Sequence, residues 1–463
     1  VAENVEATRH FVGLADFDRD GHLDIATATM HQSTGPVGIE VYLNNRLGKE
    51  WSKRTIANVG SHNMRILDVD GDGDPDLFGA NWSGPDQQIL LWVNQTCSPA
   101  KGCPSWRRHV IDDKRPGKAV FIVPADIDGD GRVDIAAGGF WYRNPGRPDG
   151  NWERRAFGDP ANDLVLLADL DGDGDTDAIL TRWRESKVDS RFVYAESQGR
   201  GKFTLRTNLP AGAGDFLQGR ALGHLSSASK LQLALSWHMG GKGIELMTIP
   251  PAPMKDEWKI EKISDFSQDE ALSSGDIDGD GRLDILLGTV WLRNTPDGWH
   301  RFTIDPGRTN PDRNRLADIN RDGKLDAVVG FEAISKTGEV IWYEQGPIAT
   351  QPWIPHLIGT VIGPMSLDVA DFDGDGDLDV VVGEHNLEHP DRARLLLFEN
   401  VDGRGRQWRE HVLHIGDEHH DGAIAVDIDG DGDVDIISIG WEHGKVLLYE
   451  NMGLRSAVAN RPK

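Results

Sequence analysis

Four carboxylates set at positions 1, 3, 5 and 9 of a nine-residue stretch recur along this chain. The pattern is D-x-[DN]-x-D-G-x-x-D, and its ligand set is Asp16, Asp18, Asp20 and Asp24 in the first copy. Seven further copies carry Asp68, Asp70, Asp72 and Asp76; Asp126, Asp128, Asp130 and Asp134; Asp169, Asp171, Asp173 and Asp177; Asp276, Asp278, Asp280 and Asp284; Asp318, Asn320, Asp322 and Asp326; Asp371, Asp373, Asp375 and Asp379; and Asp427, Asp429, Asp431 and Asp435. Alternate residues of an extended loop point the same way, so these oxygens converge, with a backbone carbonyl near position 7 and a glycine at position 6 for the sharp turn. Hard oxygen donors in that number suit Ca2+ and not Zn2+. Without a cation the carboxylates repel one another. Up to eight structural Ca2+ ions are expected, and their sixteen charges would bring the formal net charge from −26 to −10.

Histidine and tryptophan supply a second chemistry. His31, His62, His385, His420 and His443 are candidates for general acid–base work or for holding a transition metal such as Zn2+. Tyr142 is a candidate acid, and Arg143, Arg313 and Arg315 are candidate partners for a developing oxyanion. Trp82, Trp141, Trp183, Trp237, Trp291 and Trp441, with His238 and Glu384, could line a saccharide site, because a sugar's C–H face stacks on indole. Each has a plainer reading: the tryptophans as packing between sheets, the histidines as polar loop residues. His109, His300 and His411 recur beside Trp106, Trp299 and Trp408 and are read as structural repeat residues.

The elements that must position these groups follow from the repeat. With a worn ninth copy at Gly223-His224-Leu225-Ser226-Ser227, the copies start 42–58 residues apart along all 463 residues. Each period holds four short strand-like runs bounded by Gly, Pro or Asn: an apolar run into the acidic loop, a β-branched run out of it, a third run, and a fourth opening on Trp. That is one blade of a propeller. The expectation is an all-β fold, residues 1–463 forming a single β-propeller of nine blades, with eight as the alternative. The last period stops after its third run, so residues 1–10 are expected to close the ring as its outer strand. Acidic loops join strands one and two, so they share one face. The histidines and tryptophans that end second strands or lead into inner strands share the opposite one, around the mouth of the channel. In a closed ring of nine, His385, His420, His443, His31, His62, Glu384 and Glu442 would form one crescent.

The acidic loops resemble the calcium loops of FG-GAP/VCBS-type repeat propellers, the integrin-like architecture, over essentially the whole chain. They lack the position-12 glutamate and flanking helices of an EF-hand. The stretch Glu418-His419-His420-Asp421-Gly422 through Asp433, followed by Ile439-Gly440-Trp441-Glu442-His443, is similar to the closing repeat of secreted bacterial proteins of that type. The resemblance extends to the propellers of rhamnogalacturonan lyases and of aldos-2-ulose dehydratase, and implies elimination chemistry on a sugar. The chain has no room for the cupin domains of that dehydratase. Lectins and adhesion modules share the architecture, and fold alone does not choose among them.

Composition excludes other classes. The acidic balance, 75 Asp and Glu against 49 Lys and Arg, argues against nucleic acid and anionic membranes as partners. No apolar run approaches the ~20 residues of a membrane span. No G-x-S-x-G elbow, P-loop or dinucleotide fingerprint occurs. Cys97 and Cys103 are spaced for a small disulfide loop or stand as two thiols. The chain begins Val1-Ala2-Glu3 without methionine, as after removal of a signal. Asn81-Trp82-Ser83 and Asn94-Gln95-Thr96 are glycosylation sequons. The expectation is therefore a secreted or periplasmic calcium propeller acting on carbohydrate, as a lyase or dehydratase performing β-elimination on a sugar or uronate, or alternatively as a lectin or adhesion module.

Overall fold

The computed structural model describes residues 8–453 apart from 18–21, 31, 45–47, 50, 70–74, 82–88, 95–105, 186–187 and 421. Asp18, Asp20, His31, Asp70, Asp72, Trp82, Cys97 and Cys103 lie outside the described residues, as do Ser83 and Thr96 of the two sequons. The chain divides into two compact units, residues 1–105 and 106–463. The described residues form nine antiparallel sheets, one for each repeat including the worn one.

The smaller unit holds two sheets. Strands Arg9–Ala15, Asp24–Thr29, Ile39–Asn44 and Trp51–Ala57 form the first, and Asn63–Leu67, Asp76–Ala80 and Ile89–Trp92 the second. Ala26, Ala28, Ile39, Val41, Met64 and Leu77 are buried in the core of this unit.

The larger unit holds seven four-stranded sheets. Their inner strands are Ile122–Ala125, Asp163–Ala168, Leu217–Gly223, Ser273–Gly275, Pro311–Ala317, Pro364–Ala370 and Ile424–Val426. Second strands such as Asp379–Glu384 and Asp435–Ile439 are buried on both faces, which is why they read as unbroken β-branched runs. Seven apolar clusters each join one sheet to the next. The one built from Ile122, Ile135 and Tyr142 with Ile428, Ile437 and Leu448 joins the first sheet to the last, so the seven close a ring.

Ring closure differs from the expectation. The outer strand of the last sheet is Trp106–Asp112, pairing Trp106 with Asn451 and Asp112 with Val446, while Arg9–Ala15 is an inner strand of the smaller unit. The single ring of residues 1–463 closed by residues 1–10 is thereby corrected. The Trp-initiated signature recurs in every described outer strand except Phe203–Arg206, so it cannot say which third strand an outer strand joins. Side chains decide it: His109 Nε2 meets Glu450 Oε2 at 2.7 Å, as His411 meets Glu399 at 2.6 Å in the sheet before. Arg108, Lys445 and the Tyr449 hydroxyl all donate to the buried carboxylate of Asp417.

The worn repeat is a complete sheet with its acidic loop replaced. Gln232 stands where the ninth-position aspartate would be, and its Oε1 accepts from the backbone N–H of Ser226 at 2.8 Å.

Candidate functional site: acidic hairpins and a histidine-lined mouth

Two ends of the larger unit carry the two chemistries. At the hairpins between first and second strands, the aspartate at position 1 folds the loop onto itself: the Asp126 carboxylate accepts from the N–H groups of Gly129, Asp130 and Gly131 at 2.8–3.1 Å. Gly129 and Gly131 hold φ of +72° and +84°, which glycine adopts at little cost. The aspartate at position 9 is buried in all eight copies. One of its oxygens accepts from the N–H at position 2, at 2.7–3.2 Å, and the other from the residue ending the third strand, at 2.7–2.9 Å.

That third-strand residue was not singled out from the sequence. It is Asn44, Asn94, Asn144, Asn294, Asn400 or Asn451, with Gln345 once and Ser197 once. In the larger unit its side-chain amide donates across to the position-2 carbonyl of the neighbouring hairpin: Asn144 to Ile428, Gln345 to Ile277, Asn400 to Ile319 and Asn451 to Phe372. The recurring Asn after the third run was the available signal.

Positions 1, 3 and 9 bring ligand oxygens within 4.8 Å of one another in five loops: Asp126, Asp128 and Asp134; Asp169, Asp171 and Asp177; Asp276, Asp278 and Asp284; Asp371, Asp373 and Asp379; Asp427, Asp429 and Asp435. Position 5 lies outside those groups. Asp128 Oδ1 is buried without a hydrogen-bond donor, as is Asp377 Oδ1, at position 7 of its loop. Burial pushes Asp134 up to about 6, Asp284, Asp326 and Asp435 up to about 7, and Asp379 up to about 8. Oxygen-only donors with a buried lone pair fit a hard divalent cation. Among the described residues every such group is acidic, and none includes a histidine.

At the other end lies a cavity of about 410 Å3. It is lined by His385 and Glu332 just beyond second strands, by Trp441 and His238 likewise, and by Glu270 and His420 on links into inner strands. His385 Nδ1 is hydrogen-bonded to Glu418 Oε1, while Glu418 Oε2 accepts from the Trp441 N–H at 2.9 Å. A donor bond from Nδ1 leaves the Nε2 lone pair basic. The His420 ring lies 4.4 Å from that of His385 and 5.0 Å from that of Trp441. Burial, reinforced by His385, holds His420 well below the usual histidine range, so it stays neutral. His443 Nε2 bonds the Glu418 carbonyl at 2.9 Å, steadying the same loop. Phe216 stacks on His238 at 4.4 Å and contacts Trp183 at 5.0 Å, and Trp183 lies 6.3 Å from Trp441, giving an aromatic shelf.

The opposite wall is acidic. Arg313 Nη1 lies 2.9 Å from Asp312 Oδ1 and 3.3 Å from Glu270 Oε2, and its Nη2 donates to Gln218 at 3.1 Å. Burial raises Glu270, and neighbouring Asp312 raises it further, so Glu270 holds its proton near neutrality. Glu270, Asp312, Glu418 and Phe216 were missed as site residues, because nothing in their local sequence marks a link as part of the mouth.

Other expected site residues stand elsewhere. Tyr142 is fully buried in a third strand, donating to Asp112 at 3.0 Å, and its hydroxyl is pushed far up by burial. Arg143 sits at the hairpin end, with Nε 2.5 Å from Asp128 and Nη2 2.6 Å from Asp130. Both lie in the third strand Phe140–Arg143 and not in a loop at the mouth. Glu384 is buried and spent on the Ile362 N–H, the Arg394 N–H and the Arg394 guanidinium. Trp141, Trp237 and Trp291 are wholly buried between sheets. Arg315 lines the channel and pairs with Asp368 at 2.6 Å. His62 belongs to the smaller unit, stacked on His10 at 4.1 Å, and is no part of the mouth cavity.

Antiparallel sheets with an acidic hairpin between first and second strands, in every repeat but the worn one, define a repeat propeller, and the chain carries FG-GAP-like repeats: that family's model matches residues 16–79, 68–137 and 318–382. Among curated proteins the chain is 25% identical over 437 residues to cartilage acidic protein 1 of Xenopus tropicalis, covering 84% of this chain and 58% of that one. It is also 25% identical over 202 residues to T-cell immunomodulatory protein of Rattus norvegicus, covering 41% and 32%. The chain thus spans little more than half the length of these relatives at most. Among solved structures it is similar to rhamnogalacturonan lyase YesW, at 13% identity and a TM-score of 0.42, covering 97% of this chain and 91% of that one. Among the described residues no helix is long and apolar enough to cross a membrane.

Proposed function

We propose that the larger unit is a carbohydrate-active propeller whose mouth cavity performs β-elimination on a carbonyl sugar. The observation that carries the reading is His385, oriented by Glu418 and set against neutral His420, in a cavity with an aromatic shelf on one side and protonated Glu270 on the other. His385 Nε2 takes the proton on the carbon next to the carbonyl. Electrons from that C–H bond form the new double bond as the C–O bond on the next carbon breaks. Glu270 gives its proton to the departing oxygen, which leaves as water or an alcohol. The acidic lining of Asp269 and Glu332 favours a neutral keto sugar over a uronate. Calcium in the hairpins is scaffold; loops of this modest ligand charge suit a compartment outside the cytosol, where the ion is abundant.

The test is a panel of keto sugars and uronates, followed by ultraviolet absorbance of the conjugated product. Turnover that falls ~10²-fold or more in His385→Gln, with saccharide binding retained, supports elimination. Saturable saccharide binding without turnover of any substrate replaces it with the second reading, a lectin, which the shelf of Phe216, Trp183 and Trp441 would by itself serve. Neither turnover nor binding overturns both.

A further inference from the structure

Below the inner strands' mouth ends, the ring encloses a second cavity of about 350 Å3. Its wall comes from six of the seven inner strands, and three arginines line it: Arg220, Arg313 and Arg315. Among the described residues no carboxylate lines it. Two of the arginines are neutralised from behind, Arg313 by Asp312 and Arg315 by Asp368.

Arg220 is different. Its guanidinium lies over the Phe121 ring, 4.9 Å from the centroid, and this is its one close partner among the described residues. Its Nε–H is buried and donates to no acceptor. Burial in the channel, with Arg315 adding repulsion, pulls its guanidinium down to about 10. Arg220 is half-buried, with its Nε enclosed and no carboxylate beside it among the described residues, so the fold holds this cation at a cost and needs a reason to keep it. Ser273 and Ser274 also line it, their hydroxyls donating to Asn314 and to the Leu222 carbonyl.

We propose that the channel is a binding site for a small oxyanion, a carboxylate or phosphate group, held by the guanidinium fork of Arg220. The stacking on Phe121 fixes the plane of the fork, and planar bidentate pairing is what a guanidinium offers such groups. The inference stands apart from the chemistry assigned to the histidines, although Gln218 lines both cavities.

Melting curves at matched ionic strength provide the test, with sodium galacturonate and sodium methylphosphonate as probes and methyl glucoside as the uncharged control. At least one anion should raise Tm saturably in the wild-type chain while methyl glucoside does not. Arg220→Gln should weaken that response by ~10-fold or more, and its ligand-free Tm should equal or exceed that of wild type, because the buried charge is gone. Exposed Arg409→Gln should leave the response unchanged. Whichever anion acts identifies the source. Absence of any response, or an equal response in Arg220→Gln, overturns the proposal. If Arg220→Gln does not fold, Arg220→Lys decides: it keeps the charge and loses the fork, so a response as strong as wild type overturns the proposal and a weakened one supports it.

Discussion

His419 shows how much a single buried side chain ties this ring to pH. Its Nδ1 is bonded to the Ser438 hydroxyl at 2.8 Å, and it is fully enclosed. Burial pulls its imidazole down to about 3, against an ordinary value of 6.5. The unfolded chain therefore takes up a proton at this residue below pH 6.5 and the folded chain does not. Stability from this residue is complete above pH 6.5 and is lost as pH falls from 6.5 towards 3, by up to a few kcal/mol. Urea unfolding of the wild type between pH 7 and 4 should show this slope, and His419→Gln should flatten it. Equal slopes in both would refute the assignment. His420 beside it is neutral for the same reason.

Among the elements, the outer strand Trp106–Asp112 is held by one carboxylate. Asp417 receives Arg108, Lys445 and Tyr449 while His414 Nε2 lies 3.2 Å away, and together they hold it far below the usual carboxylate range. Asp417→Asn leaves half-buried Arg108 and Lys445 without their counter-charge and should cost about 3 kcal/mol, the low end for a buried pair. Hydrogen exchange should then quicken first in 106–112, and uniform exchange across the last sheet would contradict this role. The amide latches predict a smaller effect. Asn400→Ala removes donors to Ile319 and Leu378 and the acceptor for Gly405, and should cost about 2–3 kcal/mol by thermal melting. These elements also mark what was legible beforehand. Strand order within each sheet, the sidedness of loops, and the placing of His385 and His420 at the same end followed from a local nine-residue motif and strand alternation. Which third strand Trp106 joins did not, because Glu450 and Asp417 lie more than 300 residues from it. Arg143 was misplaced because a one-strand shift carries a residue to the opposite end of the sheet, and periodicity alone does not mark where Phe140–Arg143 begins.

At the scale of the larger unit, the hairpin carboxylates make the ring's stability a joint function of cation and pH. Asp134, Asp284, Asp326, Asp379 and Asp435 are each pushed up, to between about 6 and about 8, by burial first and by the aspartates around them. For a carboxyl raised above its unfolded value of 3.8, the folded state holds more protons. Its contribution is best below pH 4 and is lost as pH rises through the folded value. Chelated protein should therefore lose stability between pH 5 and 8, where wild-type globular domains are ordinarily at their best. A divalent cation within reach of positions 1, 3 and 9 replaces those protons with fixed positive charge and removes the penalty, so the gain in Tm on adding calcium should grow from pH 5 to pH 8. Melting with calcium and with chelator across that range measures it. The histidine term runs the opposite way and is unaffected by calcium, so the difference between the two melting series isolates the hairpins. A calcium gain that shrinks with pH, or zinc acting in place of calcium, would mean that the hairpin oxygens are not the ligands that hold the seven sheets in register.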